Sequence, residues 1–87
     1  MRAKMRITHV SPALAEGVVI QETLRLMAVS APSYPADGLD EDNTFAKYTP
    51  SALIDITVTN PALLGVYKVD QVFYVDFTEV PKPAPVA

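Results

Sequence analysis

Where this chain is regular, its side chains change character at every second residue, the period of an extended strand whose neighbouring side chains point to opposite faces. In Arg2 to Val10, Ala3, Met5 and Ile7 alternate with Arg2, Lys4, Arg6 and Thr8, giving one apolar and one basic face. In Ser51 to Thr59, Ala52, Ile54, Ile56 and Val58 fall on one side, with Ser51, Leu53, Asp55, Thr57 and Thr59 on the other. Val72 to Thr78 turns Phe73, Val75 and Phe77 inward and Tyr74 and Asp76 outward. Val18 to Ser30 collects Val18, Ile20, Leu24, Leu26 and Ala28 on one side, and the exception there, Glu22, predicts a nearby strand end or bulge. Eight prolines against three glycines interrupt the 87 residues. That punctuation limits helices more than it limits short strands joined by turns. The expected fold is therefore mainly β, a small antiparallel β-barrel or sandwich with one or two short helical turns. Its expected core is Ile7, Leu24, Leu26, Ile54, Ile56, Val58, Phe73, Val75 and Phe77.

The connections carry their own signals. Ser11 to Gly17, with Pro12 and a closing glycine, reads as a connecting turn or one helical turn, which a strand cannot cross cleanly. In Asn60 to Gly65, Asn60 suits a cap, Pro61 the first helical position and Gly65 the termination, so one short helical turn is expected. Val66 to Lys68 reads as a short strand, with a turn around Val69 to Gln71. Ala31 to Pro50 has no sustained period and is long for a connection in a small domain, which marks it as mobile or functional. Within it, Asp42 or Asn43 suits a cap for a helical turn through Ala46, and Tyr34, Phe45 and Tyr48 are available as anchors. Residues 1–80 are expected to form one domain and residues 81–87 a proline-rich tail.

The chain carries a formal charge of −3 with a pI of about 4.8, which disfavours a generic nucleic-acid surface. A single-stranded nucleic-acid-binding barrel, suggested by the tyrosines, lacks an evident basic groove and ranks last. Cysteine is absent, so thiolate zinc sites, disulfides and thiol catalysis are unavailable. His9 is the lone histidine and has no companion for a two-histidine metal site. The acids Asp37, Asp40, Glu41 and Asp42 do not follow the ligand spacing of an EF-hand loop and read better as a solvated turn. No nucleophile elbow or glycine-rich phosphate loop is present. The expectation is a protein without enzymatic activity, catalytic residues, cofactor, metal or small-molecule substrate. The apolar part of the first fifteen residues is broken by Thr8, His9, Ser11 and Pro12, unlike a signal peptide, and no stretch has the apolar length of a membrane span. A soluble protein made inside the cell is expected.

Three stretches, PADGLDEDNTFAKYTPSA at Pro35 to Ala52, NPALLG at Asn60 to Gly65 and VFYVDFT at Val72 to Thr78, resemble a group of short proteins encoded by tailed bacteriophages. The resemblance runs from Met1 to about Val80. It departs at Lys68 to Gln71, where a glycine in place of Asp70 would match better, and in the last seven residues, which extend past the shared ending. The resemblance implies a small virion structural protein, a capsid decoration or other virion-associated subunit, made in the host cytoplasm. Its partners would be other virion proteins or copies of itself, with no membrane involved. Candidate partner-binding residues are Tyr34, Phe45, Tyr48, Pro81 and Pro83, because aromatic anchors on a long loop and a stiff tail can span a neighbouring surface. The alternative is a non-virion accessory protein that binds and inhibits a host or defence factor.

Overall fold

The computed structural model describes residues 1–83. Four strands, β1 (Arg2–Ala15), β2 (Val18–Ala28), β3 (Leu53–Val58) and β4 (Val72–Asp76), form one antiparallel sheet in the order β3-β2-β1-β4, with a 3-10 turn at Pro61–Leu63. The chain is mainly β with one short helical turn, as its periodicity implies. The layer opposite the sheet is built from connections rather than from a second sheet. Because β3 and β4 stand at opposite edges, residues 59–71 must cross one face between them. Leu64 and Tyr67 from this crossover, with Phe45 from the long loop and Ala52 just before β3, pack on the row formed by Ala3, Met5, Ile7, Leu24, Leu26 and Val58.

Several local expectations change. β1 does not stop at Val10 but continues to Ala15, and the turn shrinks to Glu16 and Gly17, with φ values of 51° and 79° that suit a tight hairpin. Pro12 is tolerated because β4 pairs only with Arg2 to Arg6, so this part of β1 has a single neighbour and an open side. Val66 to Lys68 is not a strand; it belongs to the crossover. β2, β3 and β4 are each a few residues shorter than their apolar patterns. Glu22 does lie beside a bulge, two residues from the irregularity between the Ala13–Gln21 and Leu14–Val19 pairs. It faces the core, and its Oε1 accepts the Gly65 N–H at 2.6 Å, tying the crossover to β2.

The expected core is right in phase, and Ile7, Leu24, Leu26 and Val58 are buried as expected, but its other five members lie shallower. Ile54, Ile56 and Val58 share the core face, yet Ile56 is 46% exposed, Phe73 36% and Phe77 59%, while Ile54 and Val75 are half-buried. The deepest residues are Met5 and Ile7 of central β1, and Ala3 and Met5 join the core unanticipated. A single sheet covered by loops buries its centre and leaves its edges wet. The molecule is correspondingly flat, 54 × 52 × 16 Å, with a radius of gyration of 17.1 Å. A compact chain of this length would have about 12 Å.

Candidate functional site

The acidic loop, read from sequence as solvated, is anchored at both ends of its DEDN run. Asp40 makes the local cap, its Oδ1 accepting the Asp42 N–H at 2.8 Å; neither Asp42 nor Asn43 does so. Asn43 is completely buried. Its Oδ1 accepts the Lys4 N–H at 2.9 Å, and its Nδ2 donates to the Val29 carbonyl at 2.9 Å and to Asp40 Oδ2 at 3.1 Å. Next to it, Thr44 exchanges two hydrogen bonds with the Arg2 main chain. The loop thus takes over the pairing with β1 at the point where β2 ends.

On the outer face of the sheet, charges meet in pairs. The Arg2 guanidinium contacts both Asp76 oxygens, at 2.7 and 3.3 Å, and lies 4.5 Å from the centre of the Tyr74 ring. The Tyr74 hydroxyl donates to Asp42 Oδ1 at 2.7 Å, while Lys4 Nζ approaches Asp42 Oδ2 at 3.5 Å. Arg25 forms the same two-pronged pair with Asp55, at 2.9 and 3.0 Å. The Tyr74 hydroxyl, followed by Lys4, holds the Asp42 carboxyl below its ordinary pKa, and the guanidiniums of Arg2 and Arg25 do the same for Asp76 and Asp55. Tyr74 is pushed above its ordinary pKa by its bond to Asp42. The basic face of β1 therefore finds much of its acidic partner within the same chain. Among the described residues, no three of His, Cys, Asp or Glu converge as a cation cage would require.

The candidate contact residues separate. Tyr34 and Tyr48 come together edge to face, ring centres 6.2 Å apart. Tyr48 donates to the Ala36 carbonyl and Tyr34 accepts the Ala31 N–H, so both rings also brace their own loop. Phe45 turns inward onto the core. Pro81 and Pro83 are exposed in the irregular segment after β4; the rest of the expected tail, residues 84–87, lies outside the described residues.

The sheet edges were missed as candidates. Arg2 and Lys4 direct their main-chain groups toward Thr44, Asn43 and Val29, so their β4 partners Asp76 and Tyr74 direct theirs outward, as does Val72. At the other edge, the Ala28 N–H bonds to the Ala52 carbonyl, which sets Ile54, Ile56 and Val58 toward β2 and Leu53, Asp55 and Thr57 outward. Among the described residues, neither row of outward groups has a main-chain partner. Strand order, which is not written in a periodic pattern, was the missing information.

Comparison with protein-family models, curated proteins and solved structures finds no match for this chain.

Proposed function

We propose that this protein is a non-catalytic structural subunit acting through protein–protein contacts, and that its setting is the virion of a tailed bacteriophage, as a capsid decoration or other particle-associated component. The observation that carries the assembly reading is the flat sheet with apolar residues left wet along both edges. The accessible surface is 6493 Å². A compact chain of this mass would expose roughly 5,000 Å². A surplus of that size is what assembly removes from water. The virion setting rests on the resemblance of the PADGLDEDNTFAKYTPSA, NPALLG and VFYVDFT stretches. A nucleic-acid role is disfavoured because Arg2, Lys4 and Arg25 are already paired with Asp76, Asp42 and Asp55.

Quantitative mass spectrometry of purified particles tests the proposal. Recovery at a fixed, stoichiometric copy number per particle is expected. A chain abundant in infected cells but missing from washed particles would overturn the virion reading and favour an accessory protein that binds a host factor.

A further inference from the structure

We infer that the open edge of β4 in one copy pairs antiparallel with the open edge of β3 in another, extending the sheet from chain to chain. This deepens the assembly reading by naming the partner of the edges, and it rests on that reading only in treating them as contact surfaces.

Three observations single out a second copy. First, the directions agree: β3 is antiparallel to β2, β2 to β1 and β1 to β4, so β3 and β4 run oppositely and can pair antiparallel when copies are placed in sequence. Second, the rows match. A register with Tyr74 opposite Asp55 aligns the outward main-chain groups of the two strands, and on the core face it sets Phe73 beside Ile56 and Val75 beside Ile54. The half-exposed Phe73 and Ile56 are thereby covered by each other. Third, the area is of the right order. The surface of the whole chain, hairpin tip included, exceeds that of a compact chain by about 1,500 Å², and a subunit joined at both edges would give roughly 1,600 Å² to two standard interfaces.

Neither edge carries the usual protection against pairing. β3 and β4 contain no proline and no lysine, and their charges Asp55 and Asp76 are already matched by Arg25 and Arg2 of the adjacent strand. Among the described residues, two other stretches of strand have an open side: β1 beyond Ile7 contains a proline, Pro12, and β2 before Glu22 is only the four residues Val18 to Gln21 at the hairpin tip. Because the two edges differ, the contact is head to tail. It closes into a ring if the rotation per subunit permits and otherwise grows.

Sedimentation of the purified chain with two edge-blocked variants tests this. Val72→Pro and Thr57→Pro each remove one outward N–H while sparing the inner ladder, and circular dichroism checks that each remains folded. The parent should sediment at multiples of 9.4 kDa and each variant alone as a monomer. An equimolar mixture should form a pair of twice that mass, since each variant supplies the edge that the other lacks. Cysteine scanning covers the case in which a proline prevents folding: in this cysteine-free chain, Val72→Cys mixed with Thr57→Cys should give mixed disulfide dimers in preference to dimers of either alone. The inference is overturned by a parent that stays monomeric at all concentrations, even one recovered in particles. It is equally overturned if Thr57→Pro still dimerises while Val72→Pro does not, the signature of β4 pairing with itself.

Discussion

The side chain of Asn43 stands where a strand residue would otherwise stand beside Lys4, its carboxamide oxygen accepting the Lys4 N–H while its nitrogen donates to the Val29 carbonyl. A carboxamide reproduces the donor and acceptor of a peptide group, so one buried side chain bridges β1 and the segment after β2 where the two begin to separate. It also fixes the loop that brings Asp42 to Lys4 and Tyr74.

Asn43→Leu should therefore destabilise the domain by about 2–5 kcal/mol, because it strands the part-buried Lys4 N–H and Val29 carbonyl at once. Asn43→Asp should also destabilise, since it keeps the acceptor for Lys4 but sets an oxygen against the Val29 carbonyl and a negative charge beside Asp40. Denaturant unfolding measures both. A loss under 0.5 kcal/mol for the leucine variant would show that the loop is not held by this residue.

Burial depth separates two isoleucines on the same face. Ile7 is fully buried on the central strand, and Ile7→Ala should cost about 2–5 kcal/mol. Ile56 is 46% exposed, and in the monomer Ile56→Ala should cost only about 0.5–1.5 kcal/mol. If edges pair between copies, the Ile56→Ala penalty should grow with protein concentration, whereas that of Ile7→Ala should not. Thermal melts across a concentration series make the comparison.

Two turns predict opposite responses to side-chain change. Gly38 has a φ of +74°, and a Cβ there would meet the Tyr48 ring at 2.7 Å. Gly38→Ala should cost more than about 1 kcal/mol from backbone strain alone, with part of the additional loss recovered in combination with Tyr48→Ala. Asp70 has a φ of 76°, between the Lys68 carbonyl and the Gln71 N–H that close its turn. Asp70→Gly should stabilise by about 0.5–1 kcal/mol, relieving strain by more than it adds chain entropy. Equal effects of the two substitutions in urea melts would contradict this.

The ion pairs fix the direction of the pH dependence. Asp42, Asp55 and Asp76 have pKa values lowered in the folded chain, so their stabilisation is complete above the unfolded value near about 4 and is lost as pH falls through the folded values. Tyr74 has a raised pKa, so its contribution is present below about 10 and is lost as pH rises through the folded value. Spectroscopic titration of tyrosinate should show one late-ionising tyrosine that disappears in Tyr74→Phe and moves down in Asp42→Asn. No change in the profile on Asp42→Asn would refute the Tyr74–Asp42 bond.

Alternation determined that Ala3, Met5 and Ile7 share a face and that Ile54, Ile56 and Val58 share another strand's inner face, and the residue types Asn60, Pro61 and Gly65 determined a short turn. These follow from local geometry, because a side chain's direction along a strand and the φ value of a turn are set within a few residues. Only the tertiary structure decided that β3 and β4 occupy opposite edges, that Asn43 is buried while Tyr48 is not, and that Phe73 and Ile56 remain wet. Burial depends on which strand lies beside which, and the pairing of Lys4 with Asn43 spans 39 positions of chain. No period of two residues encodes a contact at that range.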